Sequence, residues 1–330
     1  MKPENHPFSE LSPDFILDAI ESRGFRVDAR ILELNSYENR VFQIGIENRE
    51  PIIAKFYRPD RWSQDQVQEE HDFLLELASN ELSVVAPISL GDTTQFKAGK
   101  FMVALFERRG GRTPLIESES SLEILGRTLS QIHNVGAAKP FLYRPSIDVD
   151  DYGKSSRSWL LEAEFIPINL EKQYENISNE LISRIEDKYS KYEAKNIRIH
   201  ADCHLGNILW REQRPHFVDF DDSRNGPAVQ DLWMFLSGSV SERSRQMTHI
   251  IRGYLDFREF NFGELALIES LRALRMMRHS AWIGKRWDDP AFPKAFPFFN
   301  TEKYWVEHLY QLSEQLEIIE EEEEGISLNV

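Results

Sequence analysis

The chain has 330 residues, 41% of them hydrophobic and 12% aromatic, which suits one large or two modest domains with a real core and excludes a disordered chain. Its formal charge of −16 excludes nonspecific nucleic-acid binding, because phosphate backbones attract surplus Lys and Arg. The lone cysteine, Cys203, excludes an intramolecular disulfide, and no apolar run is long enough to span a bilayer.

The first residues carry no apolar segment of signal-peptide type, so the expectation is a cytoplasmic chain with no membrane partner. Residues 13–24 predict a short helix, with Phe15, Ile16, Ala19 and Ile20 on one side and Gly24 as its stop. Strand-like runs follow at 26–33, 40–47 and 51–57, an antiparallel meander whose first turn, residues 34–39, is polar and has no glycine. Lys55 lies inside the third run, flanked by apolar residues, where it either snorkels outward or points into a cleft with a partner.

Ser63 opens a helix, since Gln66 completes a capping box and Trp62 can staple onto Val67. Glu70 is four residues before Leu74 and shares its buried face, so it is preferred over Glu69 as a partner for Lys55. Residues 83–90 and 100–106 read as further strands, completing a small β-rich lobe of about five strands with one packed helix. Charge and paired glycines at 107–112 mark an interlobe hinge.

Beyond it the periodicity turns helical. Ser120 and Glu123 make a second capping box, and Leu122, Leu125, Leu129 and Ile132 form a stripe that ends at Gly136. His133, on that stripe, reads as a packing histidine. Residues 137–155 are an irregular connection, and helices are expected over 156–164, 170–192 and most of 227–320. The acidic run from Glu320 to Glu324 reads as a solvated tail. The fold class is α+β, a bilobal protein-kinase-like fold with a small antiparallel β-sheet N-lobe and a larger, mainly helical C-lobe. The expected domains are 1–106 (N-lobe), 107–319 (C-lobe) and 320–330 (tail).

The chemistry centres on H-A-D-C-H-L-G-N-I-L-W at 200–210 and F-V-D-F-D-D at 217–222. Phosphoryl transfer needs a carboxylate beside the attacking hydroxyl, then an amide oxygen and a second carboxylate to hold magnesium against the phosphates. Protein kinases write this as H-R-D-L-x-x-x-N followed by D-F-G. Asp202 and Asp219 are therefore the candidate catalytic residues, with Asn207 and Asp219 as Mg2+ ligands and Asp221 as a second acidic contact. The turn at 35–39 takes the place of a G-x-G-x-x-G loop, so backbone amides and the Ser36 hydroxyl must meet the phosphates of ATP. Lys55 matches the lysine that holds the α- and β-phosphates, with Glu70 as its partner, and backbone groups near 106–108 are placed to read an adenine edge.

His200 reads as structural, His204 as shaping the loop or contacting phosphate, and Cys203 as a buried small hydrophobe. Asp231, in a Pro-started helix among apolar residues, needs buried donors, which the amides of the 200–207 loop would supply. A competing reading puts His200, Asp202 and His204 on one face of an extended segment as ligands of a transition metal. It leaves Asn207 and Lys55 without a task. Little chain separates Asp219 from Gly226-Pro227, so no phosphorylation-gated activation loop is expected.

These motifs resemble the aminoglycoside and choline phosphotransferase branch of the kinase-like fold, which reads H-G-D-x-H-x-G-N-x-L and then [IV]-D-[FW]-[DE]. The blocks at 34–41, 54–59, 225–233 and 287–293 are similar to the bacterial stress response kinase A proteins. That resemblance implies a Ser/Thr protein kinase with a stress-protective role, using ATP and Mg2+. It also implies Asp202 as proton acceptor, Asn207 and Asp219 on magnesium, Ser36 on ATP, and a Lys55–Glu70 pair. The expected partner is a protein bearing a Ser/Thr acceptor, and the expected state is a monomer. The alternative is a small-molecule kinase for an amino alcohol, sugar or related metabolite, because sister enzymes with the same core phosphorylate small alcohols. The departure from the branch is Ala201 where glycine is usual, a methyl expected to require ordinary backbone angles and to have little effect.

Overall fold

A computed structural model of the chain describes residues 6–114, 118–192 and 194–321; of the expected tail, 322–330 lie outside the described residues. The chain divides into two compact units, the first taking in Met1–Pro114, Gly206–Asp221 and Asp289–Ala291.

In the first unit, Ser12 caps helix α1 (Pro13–Glu21) by accepting from the amide of Phe15, and Pro13 stands in its first turn. Strands β1 (Val27–Leu34), β2 (Arg40–Ile46), β3 (Arg49–Phe56), β4 (Gln95–Ala98) and β5 (Phe101–Glu107) make a five-stranded antiparallel sheet in the order β1-β2-β3-β5-β4. Alternation along β3 sends Ile52, Ala54 and Phe56 into a core with Phe42, Ile44, Phe101 and Val103, under α1 residues Ile16 and Ile20. Lys55 consequently faces the other side, paired in register with Val41 and Ala104.

That other side carries α2 (Gln64–Ser79). Both halves of the Ser63–Gln66 capping box form, and Trp62 packs with Val67, Tyr57 and Ala104 as the staple requires. One expectation fails here. Residues 83–90 are not a strand but make only isolated bridges, Val84 to Phe217, Pro87 to Phe106 and Leu90 to Thr93. Pro87 has no N–H with which to extend a ladder, and the fifth strand is instead the short, half-polar β4. A second ladder joins β7 (Ile208–Arg211) to β8 (Arg214–Phe217) through Glu212 and Gln213, both at positive φ as a two-residue type I′ hairpin demands.

The second unit takes in Leu115–Leu205, Asp222–Asp288 and Phe292–Val330. Its helices are α3 (Glu119–Gly136), α4 (Ser155–Glu162), α5 (Ile168–Lys191), α6 (Val229–Trp233), α7 (Val240–Tyr254), α8 (Ile268–Gly284), α9 (Ala291–Ala295, which begins in the first unit) and α10 (Glu302–Glu320). Strands β6 (Ile197–Ile199) and β9 (Arg224–Gly226) form a two-stranded ladder. The stripe of α3 is buried as its spacing predicts, but the cap is Ser118, not Ser120: Ser118 accepts from the amide of Ser121. The helix starts two residues early, and Glu123 is left to face His249 and Arg252. Helix α3 lies close on α7 through two glycines: a Cβ on Gly126 would fall 1.9 Å from the Ile250 carbonyl oxygen, and one on Gly253 would fall 2.0 Å from that of Glu123. Among the described residues no helix is long and apolar enough to cross a membrane.

Candidate active site

Lys55 is the centre of the first unit's charged cluster. A buried ammonium needs anionic partners to offset lost hydration, and Lys55 has three: Nζ lies 3.1 Å from Asp221 Oδ1, 3.2 Å from Asp219 Oδ1 and 3.8 Å from Glu70 Oε1. Burial pulls its pKa down, but Asp221, Glu70 and Asp219 outweigh that and hold the ammonium well above the usual lysine range. Glu70, the glutamate chosen from the helical pattern, is 1% exposed on α2, and Lys55 also lies over the ring of Tyr57.

The three carboxylates differ. The Asp221 side chain is 5% exposed, and its Oδ2 also accepts from Asn39 Nδ2 at 3.2 Å and from Arg61 Nη1. It is a buried anchor held against the cations Lys55 and Arg61. Asp219 is 53% exposed and so presents its carboxylate outward. Between them Phe220 is buried and meets the ring of Phe73 on α2 edge-on, fixing the backbone that carries both acids.

Asn207 closes a single-turn 3-10 segment, and its carbonyl accepts from the amide of Val218 at 3.0 Å. The β7–β8 hairpin pairs Ile208 with Phe217, so the two candidate metal ligands, Asn207 and Asp219, flank the open end of one ladder. An amide oxygen and an outward-facing carboxylate are hard donors of the kind Mg2+ takes, so the residues present fit that ion. Ser36 sits half-buried in the turn between β1 and β2.

Asp202 belongs to the second unit. Its Oδ1 accepts from Arg275 Nη2 at 2.6 Å, and His204 Nε2 lies 3.5 Å from Oδ2. Burial raises the pKa of Asp202, but the His204 hydrogen bond and the Arg275 guanidinium outweigh it, even against Asp222, and hold it at about 2. Asp202 is thus ionised at any physiological pH and a weak proton acceptor.

The loop behind it is held by Asp231. The amides of His200 and Ala201 each donate to its carboxylate at 2.8 Å, and His133 Nε2 lies 3.1 Å from Oδ2, so the donors expected for this buried acid are the loop amides. Gln230 Nε2 donates to the Ala201 carbonyl at 3.1 Å. Ala201 has φ +67°, which corrects the expectation of ordinary backbone angles: its methyl occupies the left-handed region that favours glycine. His200 is buried and its Nδ1 accepts from the Asp202 amide, whereas His204 is 42% exposed, so the alternating set does not present one metal-binding face. Burial pushes the Cys203 thiol up, as suits an inert packing residue.

Sequence reasoning missed Arg61, Asn39 and Arg275. Asn39 ends the 35–39 turn and Arg61 precedes the Ser63 helix start, and neither position signals the distant carboxylate of Asp221. Arg275 is one of three arginines, with Arg272 and Arg278, spaced by three along α8 beside the buried Leu271 and Leu274, which is the signal that a functional helix face was available.

The family model described as phosphotransferase enzyme family matches residues 30–268. Stress response kinase A of Escherichia coli (strain K12) is 42% identical over 95% of each chain. A Salmonella typhimurium protein named serine/threonine protein kinase RdoA is 41% identical with the same coverage. Among solved structures, an amicoumacin kinase in complex with AMP-PNP, Ca2+ and Ami shares the fold at a TM-score of 0.69 and 18% identity, covering 93% of each chain. The chain belongs to the phosphotransferase enzyme family and, within it, to the stress response kinase A group.

Proposed function

We propose that this phosphotransferase is an ATP- and Mg2+-dependent Ser/Thr protein kinase serving a stress response. The observation that carries the reading is the buried Lys55 ammonium, held by Asp221 and Glu70 while also reaching the outward-facing Asp219. That is the arrangement a nucleotide phosphate chain requires: a fixed cation with an exposed carboxylate beside it.

Lys55 would bind the α- and β-phosphates, with Glu70 and Asp221 keeping its charge in place. Ser36 and the amides of the 35–39 turn would cover the phosphates, and backbone groups near 106–108 would read the adenine edge. Asn207 and Asp219 would hold Mg2+, which when bound neutralises charge on phosphate oxygens. Asp202 would accept a hydrogen bond from the Ser or Thr hydroxyl and point its oxygen at the γ-phosphorus. The new P–O bond forms as the bond to the ADP oxygen breaks. A carboxylate with a pKa of about 2 orients the hydroxyl more than it strips it, and the hydroxyl proton is released late, to the phosphate product or solvent.

The acceptor class is supported by the name of the Salmonella relative and by Arg275, since a guanidinium on Asp202 disfavours an ammonium-bearing small acceptor at that carboxylate. A buried, lone Cys203 is in keeping with a cytoplasmic enzyme, and we take the working unit to be the monomer.

The test is incubation with labelled ATP and Mg2+, with and without cell extract, followed by separation of protein from small products. Label on Ser or Thr of protein, abolished by Asp202→Ala and by Asp219→Ala, is the expected result. Label confined to a metabolite fraction would replace the protein acceptor by a small alcohol. Label surviving in both variants would sink the site assignment.

A further inference from the structure

The W-D-D-P-A-F block at 287–292 is absorbed by none of the chemistry above, yet one of its acids is among the most buried in the chain. Asp289 is 1% exposed and belongs to the first unit. Its carboxylate accepts from Arg40 Nη2 at 2.9 and 3.1 Å, from Arg58 Nη2 at 2.7 Å and from the amide of Ala291 at 3.1 Å.

Both guanidiniums also donate to the turn between β1 and β2, and Arg58 Nε lies 2.9 Å from the Glu38 carboxylate as well. Arg40 Nη1 donates to the carbonyl oxygens of Tyr37 and Asn39, each at 3.1 Å. Arg58 Nε donates to the Glu38 carbonyl at 3.0 Å, and its Nη2 to that of Tyr37 at 3.3 Å. The Arg58 amide donates to Asn39 Oδ1 at 3.0 Å. Three consecutive carbonyls of the turn are therefore held by two arginines that meet on one carboxylate. Both guanidiniums also lie over the ring of Phe8, at 4.3 and 5.1 Å. Two partly buried cations so close repel each other unless an anion sits between them. Asp289 is that anion.

We propose that Asp289 is the positioning residue of the phosphate-covering turn: by pairing Arg40 with Arg58 it fixes the backbone of residues 37–39 that meets ATP. The inference rests on the nucleotide role given to this turn under the proposed function. It explains how a turn without glycine can serve. A glycine-rich loop adapts its backbone to the phosphates, whereas this one is built rigid from its carbonyl side.

The test compares Asp289→Asn with Asp288→Asn, whose neighbouring carboxylate is exposed, and with Arg40→Gln. KM for ATP, kcat, thermal midpoint and hydrogen exchange of the 35–40 segment are read on the full chain. The expected result for Asp289→Asn is an ATP KM raised about tenfold or more, kcat within about threefold, and faster exchange in the turn, with Asp288→Asn like the wild type. Arg40→Gln, which keeps Arg58 on Asp289, moves KM and turn exchange the same way by a smaller factor and serves if Asp289→Asn fails to fold. An unchanged KM with unchanged turn exchange, or a lower midpoint with exchange faster everywhere and KM unmoved, would overturn the proposal. If the wild type neither bound nor used ATP, the nucleotide role of the turn would fall. Turn exchange in Asp289→Asn would still decide whether Asp289 pins it.

Discussion

Arg275 Nη2 sits 2.6 Å from Oδ1 of Asp202, a charge-assisted contact on the carboxylate assigned to the acceptor hydroxyl. The pairing fixes one carboxylate oxygen, while His204 Nε2 lies 3.5 Å from the other. Besides Arg275, His204 and Asp222, His279 lies near on α8, and burial followed by the neighbouring Arg275 holds its pKa down at about 4, so it is neutral at pH 7.

Arg275→Ala is expected to lower kcat about tenfold, which corresponds to roughly 1.4 kcal/mol of lost orientation, with Arg275→Lys recovering part of it and ATP KM unmoved. The pH dependence has a definite sign. Asp202 is held at about 2, below its ordinary 3.8, so its pairing stabilises the fold above about pH 4, by roughly 2 kcal/mol, and that contribution is lost as pH falls through 2. In Arg275→Ala the folded pKa rises, so the contribution at neutral pH is smaller and acid unfolding occurs at higher pH. Acid titration of unfolding, followed by far-UV circular dichroism, reads it; coincident acid transitions in the two proteins would refute the pairing's role.

The two acids flanking Phe220 separate stability from chemistry. Asp219 is 53% exposed at a φ of +59° that asparagine also tolerates, so Asp219→Asn is expected to abolish transfer while leaving the thermal midpoint within about 2 °C. Asp221 is nearly buried among Lys55, Arg61 and Asn39, so Asp221→Ala takes from two buried cations their shortest ion pairs and costs on the order of 3 kcal/mol. Denaturant titration of both variants checks the contrast, and equal losses from the two would contradict it.

What could be read from sequence follows from how chemistry is written in a chain. Asp202, Asn207 and Asp219 stand within one short stretch, and the hydroxyl orientation and metal holding proposed for them are functions that a local motif can write; Glu70 is picked out because helix period links it to Leu74. The capping box at Ser63 and the stripe of α3 are likewise local, and both formed. The partners that tune the site are not local. Arg275 lies 73 residues from Asp202, Asp221 lies 182 from Asn39 and Asp289 lies 231 from Arg58, and no periodicity spans such gaps. Residues 83–90 misled for another reason. Their apolar run is a strand pattern, but Pro87 breaks the ladder, and the half-polar β4 takes the sheet position instead.

Asp231 holds the backbone that leads into Asp202. Its carboxylate takes the amides of His200 and Ala201, so Asp231→Asn turns one acceptor into a donor facing a backbone N–H. The expected cost is about 2–3 kcal/mol of stability, with kcat down about tenfold because Asp202 follows directly in the chain. Affinity for ATP, measured by equilibrium binding, should stay within about twofold, since the Lys55 cluster is built from other segments. A matching loss of ATP affinity would show that Asp231 acts more widely than through residues 200 and 201.

Ala201 carries strain that its neighbours offset. A left-handed alanine costs about 1–2 kcal/mol, and three hydrogen bonds hold it there: its amide and that of His200 on Asp231, and its carbonyl on Gln230. Glycine removes the clash but gains freedom in the unfolded chain worth about 0.4–1 kcal/mol. The difference favours the variant, so Ala201→Gly should raise stability by about 0.5–1 kcal/mol and the thermal midpoint by about 1–3 °C. Because residue 201 enters these bonds only through its own N–H and C=O, glycine keeps them, and kcat should stay within about twofold. A lower midpoint for Ala201→Gly would mean that the methyl's packing in this buried loop outweighs its strained backbone, and that the alanine stabilises the turn it distorts.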